Sequence, residues 1–104
     1  MNILVIDTSD SKNIRVGIKI NGKSKYISSK ARVLKAQAVL PLMEKVLKAN
    51  NINLLDINKI KVNTGPGSFT GLRVGISIAN ALGFFLKIPI NGKKVGELAA
   101  PKYK

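Results

Sequence analysis

The sequence predicts an α/β fold: a mixed five-stranded sheet in the order 3-2-1-4-5, with two helices on one face. Three observations carry that prediction. Strand-length apolar stretches, some continuous and some alternating, occupy the first 30 residues. The apolar period then lengthens from two to 3.6 at about Val33. From there helix and strand alternate, which is the order that builds parallel crossovers.

Ile3, Leu4, Val5 and Ile6 form a continuous apolar run between Asn2 and Thr8, as expected of a central strand. A turn at 10–13 follows. Ile14, Val16, Ile18 and Ile20 then alternate with Arg15, Gly17 and Lys19, the pattern of a half-buried strand. Asn21-Gly22 is a strong two-residue hairpin signal. The strand after it, about Lys23 to Ser29, is polar and lysine-rich and suits a sheet edge. Ala36, Val39, Leu40, Met43, Val46 and Leu47 make one helical stripe, interrupted by Pro41, which should kink the helix. Asn50-Asn51 stops it. A fourth strand is expected at Lys59 to Asn63, a second helix from about Thr70 to Lys87, and a fifth strand at Ile88 to Asn91. Right-handed crossovers set strands four and five parallel to the first and put both helices on one face. This is a ribonuclease H-like arrangement, and equally half of an actin-like ATPase. Residues 1–91 form the domain, and 92–104 a short tail with one weak turn at Val95 to Ala100.

Thr64, Gly65, Pro66, Gly67, Ser68, Phe69, Thr70, Gly71 and Arg73 mark the joint between the fourth strand and the second helix. Gly65 and Gly67 can take positive φ, Pro66 fixes its own φ, and Ser68 or Thr70 can cap the helix. The loop is not a Walker loop, because no Lys-Ser/Thr pair follows the last glycine. Its glycine spacing does not fit a dinucleotide fingerprint either. A tight joint and an anion site at a helix N-terminus are both open readings.

The run TGPGSFTGLR from Thr64 to Arg73 resembles the signature loop of the TsaB (YeaZ-type) family. Further resemblances lie in order at Leu4 to Ser9, Ala38 to Met43, Leu55 to Ile60 and Ile88 to Ile90. They cover nearly all of this chain but only the first half of a usual member. The second domain of the family is therefore expected to be absent, and Lys35 stands where members usually carry histidine. The resemblance implies the same fold. It also implies a non-catalytic subunit that binds a TsaD-type enzyme, with a TsaE-type ATPase in a larger complex. The product of that complex is threonylcarbamoyladenosine beside the anticodon of tRNA.

The chain has 104 residues, no cysteine, no histidine and a formal net charge of +13. That length makes one domain with a modest core. Without cysteine there are no disulfides or thiolate metal sites, which fits a cytoplasmic protein. No signal peptide is expected, and no apolar run approaches the ~20 residues that span a bilayer. Lys, Asn and Ile are abundant, so the charge can reflect AT-rich codons; it can also reflect a polyanion partner such as tRNA.

Only five acidic residues are present, and only Asp7 falls at the end of a central strand. A ribonuclease H nuclease needs several carboxylates around two metals, and an actin-like phosphotransferase has a glycine where this chain has Asp7-Thr8-Ser9. No catalytic residue, metal or cofactor is assigned. Asp7 reads as an acceptor for nearby backbone N–H groups.

On the second helix, Val74, Ile78, Ala81, Leu82, Phe85 and Leu86 fill one apolar arc, with Leu72, Ile76, Ala79 and Gly83 on its flank. The glycines and alanine recurring every four residues suit a close helix partner. The flank Leu72, Ile76, Ala79 and Gly83, with Leu40 and Met43 of the first helix, is thus the expected interface with TsaD or a second copy. Arg15, Lys19 and Lys61 alternate away from the core and are candidate RNA contacts. A small basic RNA-binding module and a residual nucleotide-binding domain are the alternative readings.

Overall fold

The computed structural model describes residues 1–10, 12–30 and 36–102. Lys35, and the start of the first helix expected at Val33, lie outside the described residues. The elements are β1 (Asn2–Asp7), β2 (Asn13–Ile20), β3 (Lys23–Lys30), α1 (Ala36–Ala49), β4 (Lys59–Val62) and α2 (Phe69–Leu86).

β1, β2 and β3 form an antiparallel meander. The turn between β2 and β3 is closed by Asn21 and Gly22, both at positive φ, 49° and 86°. Two such residues match the right-handed twist of the flanking strands. β4 lies parallel to the other side of β1, pairing Leu4 with Ile60 and Ile6 with Val62. α1 carries the chain across to it and continues through Pro41 to Ala49. α1 packs on β2 and β3, and α2 on β1 and β4.

Register puts Leu4, Ile6, Val16, Ile18, Ile60 and Val62 on one sheet face, all buried. Val39, Met43 and Val46 of α1 and Leu72, Ile76 and Ala79 of α2 close over them. The opposite face carries no helix among the described residues.

The sheet has four strands in the order β3-β2-β1-β4, which corrects the expected five. Ile88 to Asn91 makes a single parallel bridge, Ile60 to Ile90. Ile60 donates to the Pro89 carbonyl at 3.0 Å, and Asn91 donates to the Ile60 carbonyl at 2.9 Å. The backbone then turns through positive φ at Asn91 and Gly92. The Asn91 side chain takes over, accepting from the Val62 N–H at 2.8 Å and donating to the Val62 carbonyl at 3.0 Å. An amide side chain thus satisfies the next two ladder groups of β4.

The tail is tied down rather than loose. Asn80 on α2 accepts from the Ala99 N–H at 2.8 Å and donates to the Ala99 carbonyl at 3.1 Å, and Ala99 is buried. Further on, Lys102 donates to the Thr64 carbonyl at 2.6 Å.

By length and composition α2 could cross a membrane, contrary to the reading of apolar runs alone. That reading counted only uninterrupted stretches, and Arg73 divides this one. Packing of Leu72, Ile76 and Ala79 against the sheet gives α2 the pattern of a core helix.

Candidate functional site

The joint at 64–71 is held by its own polar groups. Ser68 is the N-cap of α2 and accepts from the Gly71 N–H at 3.3 Å. The Ser68 N–H donates to the Ser9 carbonyl at 2.7 Å, and the Gly65 N–H to Asn63 Oδ1 at 2.9 Å. Pro66 has no N–H to offer. The Gly65, Ser68 and Gly71 N–H groups are thus engaged within the chain, which favours the tight joint over an anion cradle. Of the two glycines free to take positive φ, only Gly65 does, at 122°. Gly67 is needed for a different reason: a Cβ there would lie 2.7 Å from the Ser9 carbonyl oxygen.

Beside the loop, Asp7 Oδ1 accepts from the Ser9 N–H at 3.0 Å, Ser9 Oγ at 2.6 Å and Asn63 Nδ2 at 3.2 Å. Burial pushes the Asp7 carboxyl up. The Ser9 and Asn63 hydrogen bonds and the nearby Arg15 charge outweigh that and hold it below the usual carboxylate range. Asp7 is therefore a structural acceptor, as its place in the sequence implies. Asp10 holds a turn through Lys12 and Asn13, Asp56 accepts from the Asn53 N–H, and Glu44 pairs with Lys48. Among the described residues no three of Asp, Glu, His and Cys gather as a metal site.

Thr8 was absent from the sequence candidates, yet it organises the joint. It is fully buried, donates from Oγ1 to the Gly71 carbonyl and accepts from the Gly75 N–H. A side chain at position 75 would collide with Thr8 Oγ1, and one at 83 would lie 2.5 Å from Ile90 Cδ1. Gly75 and Gly83 thus make room for Thr8 and Ile90.

That overturns the expected partner flank. Leu72, Ile76, Ala79 and Gly83 face the sheet, and Ile76 is only 5% exposed. Met43 of α1 is buried too, whereas Leu40 is 50% exposed. The apolar arc read from the sequence is split by the fold: Ile78 is buried and Val74 and Leu82 pack against the core, whereas Ala81 and Phe85 are exposed. The outward side carries Phe69, Phe84 and Phe85 at 57%, 80% and 74% exposure. Near its start, Phe69, Thr70, Arg73, Val74, Ser77 and Ile78 line a groove of about 410 Å³, with the Arg73 guanidinium 5.3 Å from the Phe69 ring centre.

The three candidate RNA contacts lie together on the helix-free sheet face. Its register sets three rows. One runs through Asp7, Arg15 and Ser28, a second through Lys61, Val5, Gly17 and Tyr26, and a third through Lys59, Ile3, Lys19 and Ser24. The Tyr26 ring lies across Gly17, where it leaves no room for a Cβ. The Arg15 guanidinium stacks 4.1 Å from the centre of that ring. An open groove of about 630 Å³ runs over Ile3, Val5, Arg15, Tyr26, Lys59 and Lys61 toward Asn63 and Asn91.

A mixed sheet backed by two helices, with a tight glycine joint between β4 and α2, defines an α/β domain. The comparisons place it further. The family model described as TsaD, tRNA N6-adenosine threonylcarbamoyltransferase, matches residues 29–95. The TsaB proteins of Buchnera aphidicola from Schizaphis graminum and of Bacillus subtilis are 39% and 35% identical to this chain. The alignments cover 96% and 88% of it, and 47% and 40% of those proteins. The solved YeaZ structure from Pseudomonas aeruginosa superposes with a TM-score of 0.79 at 29% identity, over 86% of this chain and 43% of that one. The chain belongs to the TsaD family and is of its TsaB (YeaZ) type. It spans about half the length of the curated relatives it matches.

Proposed function

We propose that this chain is a cytoplasmic accessory subunit in tRNA threonylcarbamoyladenosine synthesis. It binds a TsaD-type enzyme, contributes no catalytic group, and supports that enzyme's modification of the adenosine next to the anticodon. A TsaE-type ATPase joins the larger complex, and without its partners the chain self-associates. Residues 1–91 are the working domain and 92–104 a short tail, braced against it at Ala99 and Lys102. The observation that carries the reading is the contrast between the two sides of the joint. The Gly65, Ser68 and Gly71 N–H groups and most of the carboxylates are engaged within the chain, while the outer side of α2 presents Phe69, Phe84 and Phe85. Three exposed aromatic rings along the outer side of one helix suit a protein interface. The relatives named for threonylcarbamoyladenosine biosynthesis support the pathway.

Reconstitution tests this reading. The TsaD-type enzyme of the same source, unmodified tRNA and the threonylcarbamoyl donor are incubated with and without the chain. Modified nucleoside is expected only when the chain is added, and the chain alone should not hydrolyse ATP. Equal product in both reactions would contradict the proposal.

A further inference from the structure

We propose that the helix-free sheet face binds single-stranded RNA, with Tyr26 and Arg15 as a stacking platform and Lys19, Lys59 and Lys61 as phosphate contacts. The choice of RNA over DNA rests on the tRNA pathway proposed above; the binding surface itself rests on geometry.

The face is cationic and flat. Arg15, Lys19, Lys59 and Lys61 are all exposed, and the carboxylate paired in register with Arg15, Asp7, is already engaged by Ser9 and Asn63. Residues two apart on a strand point to the same face about 6.6 Å apart. Lys59 and Lys61 therefore flank the apolar floor of Ile3 and Val5 on one side, and Arg15 and Lys19 on the other. Such a pair of cationic rails with an apolar floor suits a strand whose phosphates lie outward and whose bases lie down.

The platform supplies the base contact. Tyr26 is 42% exposed, its Cδ1–Cε1 edge lies over Gly17, and the Arg15 guanidinium stacks 4.1 Å from its ring centre, so the ring and the guanidinium together form the stacking surface. Aromatic rings and guanidinium planes on a sheet stack unpaired bases, and the interaction tolerates many sequences. Among the described residues no helix or ribbon projects from this face to enter a duplex groove, so paired nucleic acid gains only the phosphate contacts. At the far end of the groove, Asn63, Thr64 and Asn91 line its wall. The Asn63 and Asn91 amides are engaged within the chain, which leaves the Thr64 hydroxyl as the group there to meet a base edge or a 2′-hydroxyl.

The test is fluorescence anisotropy of the purified chain with a labelled 12-nucleotide single-stranded RNA, without any TsaD-type enzyme. Failure of the enzyme partnership therefore cannot be mistaken for failure here. Affinity should fall as salt rises, with a log–log slope of about −2 to −3, as expected for three or four phosphate contacts on a single strand. Lys59→Gln with Lys61→Gln should reduce the magnitude of that slope by about 1.4. Tyr26→Ala should weaken binding by about 5- to 100-fold and leave the slope unchanged, which is the signature of lost stacking. Lys48→Gln on α1 should change neither. The lysine pair is exposed, so it keeps the test decisive if Tyr26→Ala does not fold. The proposal is overturned if RNA does not bind at 50 mM salt or if the lysine pair leaves the slope unchanged. It is also overturned if a folded Tyr26→Ala binds like wild type. Tighter binding of an acidic amphipathic peptide than of RNA would assign the face to a protein partner instead.

Discussion

At the residue scale Thr8 ties α2 to the end of β1. Thr8 Oγ1 serves both the Gly71 carbonyl and the Gly75 N–H from a fully buried position. Thr8→Val keeps the shape and removes both bonds, so it should cost about 1–3 kcal/mol in urea unfolding. Gly75→Val should cost at least as much, because the new side chain meets Thr8 inside the core. A Gly75→Val protein as stable as wild type would show that α2 can lift off β1 freely. Asp7 gives a pH signature. Its carboxyl is held below the usual range in the folded state, so its contribution is present above the unfolded value of about 4. It is lost as pH falls through the lower folded value. The urea midpoint of wild type should therefore drop more between pH 6 and pH 3 than that of Asp7→Asn. Equal drops would mean that Asp7 does not link folding to protons. The place of Asp7 was legible because it ends an apolar strand run. The role of Thr8 was not, because its partners lie 63 and 67 residues away.

α2 shows at the element scale what a sequence projection can and cannot decide. Its limits were legible from Ser68 and Pro89, and the cap is indeed Ser68. Its orientation was not legible, because the helix is apolar over most of its circumference. Hydrophobicity then does not distinguish the core side. Shape does: Gly75 and Gly83 let the helix settle onto Thr8 and Ile90, and the bulkier side is left outward. Ile76→Glu would bury a charge among Leu72, Ala79 and the sheet. Its cost of several kcal/mol approaches the whole stability of a small domain. Circular dichroism should show that variant unfolded at 25 °C, whereas Phe85→Glu on the outer side should melt within a few degrees of wild type. The fifth strand was misjudged for a similar reason. Ile88-Pro89-Ile90 has strand composition, but the backbone turns at Asn91 and a side-chain amide continues the pairing. Asn91→Ala should therefore speed hydrogen exchange at the Val62 amide. Unchanged exchange there would remove that role.

The whole molecule has two unlike surfaces on opposite sides of one sheet. The helix side carries outward phenylalanines, and the open side carries cations around an apolar floor. The meander, the hairpin turn, the parallel fourth strand and the basic face were legible because alternation and turn chemistry are local. The partner surface was not, because it depends on which side of α2 the sheet accepts. The account places the TsaD-type partner on that outer side, beside the groove lined by Phe69, Arg73, Val74 and Ser77. Ser77 is exposed, so Ser77→Arg fills the groove without entering the core. The most direct test is titration calorimetry of the TsaD-type enzyme of the same source against wild type and Ser77→Arg. The account predicts a defined complex with wild type, at least tenfold weaker binding by Ser77→Arg, and matching thermal midpoints for the two proteins alone. No heat of binding with wild type, or equal affinity for both, would contradict it.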